Sequence, residues 1–438
     1  MNLPLFITLL FLLQIICLVI GTMAARNEKG RAGYFLVSGS LGFWPLTMTL
    51  IATLIGGGST LGAAEEAYRH GWIIFLYPLG GSLGFVLLAL GISKKLNRYN
   101  VTTIAQIMEV AYKSAWLKKI ASLLSIIALT SILIGQIIAA HKFMNSLAVS
   151  NELIFLAFWL IIILYTAAGG LRAVAVTDVL NGIFFIVALA ICFVALPSDI
   201  SLSGYTGGPS YDINKVVAWF LMPLLFMLIE QDIGQRSFAA SSQKTFTLAA
   251  LTAAFLSLLM SLAPICLGMA ANSMAIEVPL GSSVLICAIT YLTNPWITAI
   301  AGCAVMAAIV STANSEINAI SSNVSQDFTD KLKLNSIKVI TVLIAVLSVA
   351  LSYLFHNIID LIIISFELAV YCLFVPIMMA LFKNRHHKIS AILSLISGGL
   401  AFLLLKCIGC EIVPHPVIAL TASLAGFGLG ELYSYKTT

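Results

Sequence analysis

Residues 51–62 read Ile51-Ala52-Thr53-Leu54-Ile55-Gly56-Gly57-Gly58-Ser59-Thr60-Leu61-Gly62. They sit inside an apolar run, 42–68, that is long enough to cross a bilayer, for which a helix needs about 20 residues. Three adjacent glycines disfavour helix at that point. Backbone freed at membrane depth is tolerated only where it lines a cavity or is packed in protein. An interrupted span of this kind points to a transporter's binding site. Close helix packing is the other reading of small residues in a membrane, although packing motifs space their glycines four apart.

The rest of the chain makes lipid the solvent. Of 438 residues, 60% are apolar and 9% charged, and the mean hydropathy is +1.05. A soluble domain averages about 25% charged. The small positive balance is therefore not a nucleic-acid footprint, and the useful question is where the basic residues lie. Thirteen apolar stretches are expected to span, at 3–22, 42–68, 72–92, 120–145, 152–168, 175–196, 215–232, 246–270, 295–324, 337–355, 358–382, 388–407 and 416–435. The first is read as a retained span, since no Lys or Arg precedes Arg26 as a secretory signal would require. With the N-terminus outside, 19 of the 23 Lys and Arg fall on the cytoplasmic side. Arg236 is counted there as a loop charge. Segment 102–117 is amphipathic, with Ile104, Ile107, Met108 and Ala111 at helical spacing, and is expected to lie on the cytoplasmic interface.

Cysteines carry little chemistry. Six of the eight lie in or beside apolar runs. Cys407 and Cys410 form a CxxC without a second pair or nearby His, so zinc is not expected and a local disulfide stays open. A short lid helix is expected to start from Pro279 and Gly281-Ser282-Ser283 in the loop 271–294, and the loop 197–214 is a second candidate outer gate.

A second interruption is expected at Pro223, in span 215–232, because proline removes a backbone donor and kinks a helix. It falls five spans after the glycine break. Polar residues inside spans are the remaining signal. Asp178 lies one turn into span 175–196, where it either serves a site or anchors the helix end by pairing with Arg172. In 306–322, Ser311, Thr312, Ser315, Asn318 and Ser322 form one helical stripe with Ala308. Hydroxyl and carbonyl oxygens suit a hard cation such as Na⁺. Interhelical hydrogen bonding explains the same stripe equally well. Glu316 falls just off the stripe and either faces another cavity or pairs with a basic residue.

Four stretches carry a resemblance. They are Gly33–Gly42 leading through the glycine break to Gly71, Gly169–Val179 with Asp178, Gln235–Ser241, and Ala307–Ser315 through Asp327-Phe328. On these the chain resembles the solute:sodium symporter family over almost its whole length. The resemblance implies an all-α polytopic membrane protein of the leucine-transporter type. About 13 transmembrane helices would form a 5+5 inverted repeat, with one extra N-terminal and two extra C-terminal helices. Here these are 3–22, then repeats 42–196 and 215–382, then 388–435.

By motif position the family's sodium site falls on the carbonyls of Ala52, Ile55 and Ala308 and the hydroxyls of Ser311 and Thr312. A second sodium, held by some members, would fall on Asp178, Ser311, Asn314 and Ser315. Members with that site usually have Ser where this chain has Asn314. The solute would lie between the broken helix, at Gly56, Gly57, Ser59 and Thr60, and span 7, at Phe226 and Glu230. Sugar-transporting relatives place Asn and Tyr on span 7. This chain offers almost no donor there before Glu230, and a polyol's desolvation would go unrepaid.

The expected function is import of a small organic solute by Na⁺ symport through alternating access. An amino acid, carboxylate or vitamin-like acid is favoured over a sugar. The alternative is a proton-coupled symporter of the same fold, with the proton on Glu316, Glu367 or Asp178. The partners are the solute, Na⁺ and the bilayer of the inner (plasma) membrane, with the C-terminus cytoplasmic. Nucleic acid and an obligate protein partner are not expected. Neither is an enzyme, since His386-His387 lies in a basic loop without acidic neighbours.

Overall fold

The computed structural model describes residues 1–25, 30–147, 152–195, 212–328, 334–408 and 413–437. Among them it is helical, with a single backbone bridge between Leu41 and Ala240. The helices that carry the argument are α1 (Leu3–Ala25), α2 (Phe43–Leu54), α3 (Ala63–His70), α4 (Leu76–Leu87), α5 (Ile104–Tyr112), α6 (Ala115–Ser146), α7 (Glu152–Val194) and α8 (Ile213–Phe226). They continue as α9 (Gln231–Ala239), α10 (Gln243–Ser273), α11 (Val284–Leu292), α12 (Pro295–Asn323), α13 (Leu334–Ser352), α14 (Ile358–Phe382), α15 (Lys388–Ile408) and α16 (His415–Thr437).

Eleven helices among the described residues are long and apolar enough to cross a membrane, and the shorter Phe43–Leu54 and Glu152–Leu164 are apolar too. The difference from thirteen full spans has two physical origins. The glycines split 42–68 into α2, a wide turn over Gly58–Gly62, and α3. Spans 152–168 and 175–196 join as α7, bent sharply at Gly170, where φ is 63°. A side chain there would meet the Tyr34 carbonyl at 2.5 Å, so the bend needs glycine.

The layering is set by which helices are wetted by lipid. The membrane window of α12 is 83% buried within the protein, whereas that of α1 is 22% buried. α12 is thus the central post, packed on α6 and α7. Large apolar side chains such as Leu12, Ile15, Val19, Phe255, Leu259, Leu403 and Leu404 are exposed on the outer helices, which fits a hydrocarbon solvent. α15 and α16 pack mainly on each other and on α14.

The amphipathic stretch supplies α5: a capping box at Thr103 and Gln106 starts it, and its apolar face packs against the protein while Val110 is exposed. Gln231 accepts from the Ile104 amide at 2.7 Å, and Thr103 donates to Asp327 at 2.6 Å. The short helix of 271–294 forms as α11, capped by Ser283, whose hydroxyl accepts from Ile286. Most of the loop 197–214 and Cys410 lie outside the described residues; Cys407 is exposed with a free thiol.

Candidate functional site

The glycine break is closed by its own neighbours. Ile55 leaves the helical path at φ −94°, ψ 80°. The Ser59 hydroxyl donates to the Leu54 carbonyl and accepts from the Gly56 amide at 3.2 Å. Thr60 donates to the Gly56 carbonyl at 2.6 Å. Gln136 of α6 accepts from the Gly57 amide at 2.6 Å. Each group bonded here is one that a broken helix would otherwise leave bare in an apolar medium. Ser59 and Thr60, expected to face solute, therefore spend hydroxyls on the backbone. Gly56 and Gly57 also pack closely: a Cβ on Gly56 would stand 2.5 Å from Thr312 Oγ1, and one on Gly57 2.5 Å from Ala139 Cβ. Break and close packing, offered as alternatives by the sequence, coexist.

Across the break lies the polar stripe of α12. Thr312 donates to the Ala52 carbonyl at 2.7 Å and to the Ala308 carbonyl at 3.2 Å. Ala52, Ile55, Ala308 and Ser311 line one small cavity together with Asn181 and Phe185. Four of the five expected sodium positions thus line one cavity, and the fifth, Thr312, is hydrogen-bonded to two of them. The Ser311 hydroxyl is engaged by Asp178, which also accepts from Thr49.

The second cluster differs from the expectation at one residue. Arg236, counted as a loop charge, is completely buried on α9. Its guanidinium donates to Asp232 one turn earlier, to Thr49 at 2.9 Å and to Ser315 at 2.6 Å. It stands 3.7 Å from Asp178. Asp178 is therefore not an end anchor for Arg172; it is part of a buried ion network. Asn314 is turned away and accepts from Thr166 at 2.6 Å. Of the second-site candidates, Asp178, Ser311 and Ser315 come together around Arg236, and Asn314 does not join them. The Asp232–Arg236 spacing of four was the available signal, since opposite charges at that interval pair on a helix.

Span 7 breaks as well, though not at Pro223 itself. α8 persists to Phe226, tightens through the Leu228 and Ile229 amides at 3.2 and 2.9 Å, and restarts at Glu230 as α9. Tightened i to i+3 bonds are a usual way to end a helix. Phe226 stacks on Phe366 of α14 with centroids 4.2 Å apart. Glu230 and Ser59 line one cavity with Tyr77, Met227, Glu316 and Phe366. Thr60 lines a different, wholly apolar one. Gln136 and Tyr77 were not singled out in the sequence, because lone polar residues in apolar spans carry no spacing signal; Asp232 was missed although its spacing to Arg236 offered one.

The charges near α3 also find partners. Glu65 bonds Arg69 at 2.7 Å and Lys142 at 2.6 Å. Lys215 lies 3.3 Å from both Glu66 and Asp360. Glu367 pairs with Lys406 at 3.0 Å.

Residues 34–207 match the model of the sodium:solute symporter family. The sodium/pantothenate symporter of Escherichia coli (strain K12) is 32% identical over 171 residues, 37% of this chain and 35% of that protein. The sodium/myo-inositol cotransporter 2 of Oryctolagus cuniculus is 26% identical over 293 residues, 58% of this chain and 43% of that protein. The chain spans about a third to two fifths of the length of these curated relatives. The backbone follows a solved Na⁺-coupled sialic acid symporter in a substrate-bound outward-open state, with TM-score 0.79 at 18% identity, over 98% of this chain and 97% of that one. It also follows a nucleobase-cation-symport-1 family transporter in a closed conformation, with TM-score 0.65 at 14% identity, over 92% and 95%.

Proposed function

We propose that this chain, a sodium:solute symporter family sequence over residues 34–207, moves a small organic solute across a membrane with Na⁺ by alternating access. One observation carries the reading: the helix broken at Gly56–Gly58 presents Ala52 to Ala308 and Thr312 of α12 through a 2.7 Å hydrogen bond. Backbone carbonyls and hydroxyls so placed are hard oxygen donors without net charge, suited to a monovalent hard cation. Ala52, Ile55, Ala308, Ser311 and Thr312 would hold the ion. Asp178 of α7, which accepts the Ser311 hydroxyl directly, orients Ser311.

Coupling follows from where the site lies. The ion joins a broken helix of the first repeat, 42–196, to α12 of the second, 215–382, so its binding favours one arrangement of the two. The ion pairs of Lys142 with Glu65, and of Lys215 with Glu66 and Asp360, tie α3 to α6, α8 and α14. Opening toward that side breaks them. With the N-terminus outside, as 18 of the 23 basic residues favour once the buried Arg236 is left aside, that side is external to the inner (plasma) membrane. Each Na⁺ crossing 100 mV releases about 2.3 kcal/mol, enough for more than tenfold solute accumulation at about 1.4 kcal/mol per decade.

The test is Na⁺-dependent thermal stabilisation of the purified protein against K⁺, followed by uptake in proteoliposomes. Na⁺ alone should raise the melting temperature, by mass action on the folded state. Ser311→Ala should weaken apparent Na⁺ affinity about tenfold, the loss of one hydrogen-bonding ligand to a charged group, and leave solute affinity at saturating Na⁺ nearly unchanged. An unaltered Na⁺ dependence contradicts the ligand set. Uptake that persists without Na⁺ and follows a proton gradient overturns Na⁺ coupling in favour of the proton-coupled alternative.

A further inference from the structure

Glu230, Asp232 and Glu316 offer carboxylate oxygens that all lie within 4.8 Å of one another, and all three residues are buried. Their situations differ. Asp232 is satisfied by Arg236 and by the Thr53 hydroxyl at 2.9 Å. Glu230, 2% exposed, and Glu316, 1% exposed, each keep one oxygen with no hydrogen-bond partner among the described residues. Neither takes part in an ion pair there. Both line the cavity beside the helix break, whose other walls include Leu54, Tyr77, Met227 and Phe366.

The charges around the cavity do not balance. Arg236 is the one basic group in the cluster, and it is already bonded to Asp232 and beside Asp178. No Lys, Arg or His lines the cavity. A buried carboxylate without a counter-charge is costly and is relieved either by a proton or by a cation from outside the chain; the free oxygens face a cavity, where a cation fits. A carboxylate solute would meet like charge and no basic partner. An ammonium brings up to three N–H donors, which match the two free carboxylate oxygens. Ser82 of α4 and Ser257 of α10, whose hydroxyls have no partner among the described residues, also line the cavity. The rings of Tyr77 and Phe366 suit a cation or an apolar body.

We infer that the solute is a small organic cation, a protonated amine on an apolar body, seated with its ammonium between Glu230 and Glu316. The inference rests on the proposed transport reading, in that this cavity is the solute's. It narrows the solute to a charge opposite to that of the carboxylates and vitamin-like acids favoured by the sequence. Na⁺ has its own uncharged oxygens across the broken helix, at Ala52, Ala308 and Thr312.

The experiment uses the full chain in lipid nanodiscs with Na⁺ present. Thermal unfolding is followed with a series of small primary amines, each paired with the neutral alcohol and the carboxylate of the same skeleton. Amines should raise the melting temperature, and their alcohol and carboxylate partners should not. Glu316→Gln should weaken the amine response at least tenfold, keep the Na⁺ response, and raise the melting temperature of the ligand-free protein. Glu230→Gln repeats the test on the other carboxylate should the first variant fold poorly. Stabilisation by carboxylates, or by no amine, overturns the inference. So does a Glu316→Gln protein that keeps its amine response, or one that loses only its Na⁺ response, which would make the cluster a metal site. A pH-dependent melt without amine response overturns it in favour of a proton site. An Na⁺ response without an amine response sinks this inference and leaves Na⁺ coupling standing. An amine response without an Na⁺ response does the reverse.

Discussion

Arg236→Leu should cost about 3–5 kcal/mol of stability, the usual penalty for removing one partner of a buried ion pair, and should abolish uptake. The argument is one of uncompensated charge. Asp232 and Asp178 are fully buried, and both face the guanidinium. Leucine fills part of the volume and leaves two carboxylates in a dry site, with Thr49 and Ser315 each short of a donor. A drop of many degrees in the melting temperature in nanodiscs is the expected reading. Arg236→Lys should be intermediate, because an ammonium cannot reach Asp232, Thr49 and Ser315 with one planar fork. The double variant Arg236→Leu, Asp232→Leu should recover part of the loss. A well-packed apolar replacement of a buried pair is often neutral. An Arg236→Leu protein as stable as the parent would show that the network carries no energy.

Gly56→Ala should reduce Na⁺ affinity by about thirtyfold while the protein still folds. The new methyl would sit 2.5 Å from Thr312 Oγ1 and 2.8 Å from Gln136 Oε1. Gln136 Oε1 ends a flexible side chain and can retreat, whereas Thr312, whose Cβ would also stand at 3.0 Å, must turn its hydroxyl away. These movements separate Thr312 from the Ala52 carbonyl and Gln136 from the Gly57 amide. Overpacking of this kind costs typically 1–3 kcal/mol, and about 2 kcal/mol spent at the proposed ion ligands is roughly thirtyfold. Na⁺ titration of the melting temperature reads it directly. A parental Na⁺ titration in Gly56→Ala would separate the break from ion binding.

Much of this arrangement was legible before any coordinates, and the rest was hidden for definable reasons. Gly56–Gly58 announced a break because glycine's effect on a helix is local. The stripe on α12 was visible because 3.6-residue periodicity survives in any helix. Asp178 was conspicuous as a charge in a span. Arg236 was misplaced because a basic residue past the end of an apolar run looks like a loop charge. Only the fold shows that α9 turns back under the bundle and buries it. The sequence placed Ser59 and Thr60 at the break but cannot show that Leu54 and Gly56 leave carbonyls for their hydroxyls to satisfy. Glu316 lay off the stripe, so its meeting with Glu230 required the spatial position of the second break.

The self-closed break has a thermodynamic consequence. Ordering a residue costs roughly 1–2 kcal/mol of backbone entropy. In most irregular binding segments part of that cost falls on the ligand at the moment it arrives. Here Ser59, Thr60 and Gln136 already hold the unwound stretch, so its disorder is surrendered during folding. A solute or ion that enters meets a rigid template. Its affinity then reflects contacts and charge alone, and small changes in either register fully as selectivity.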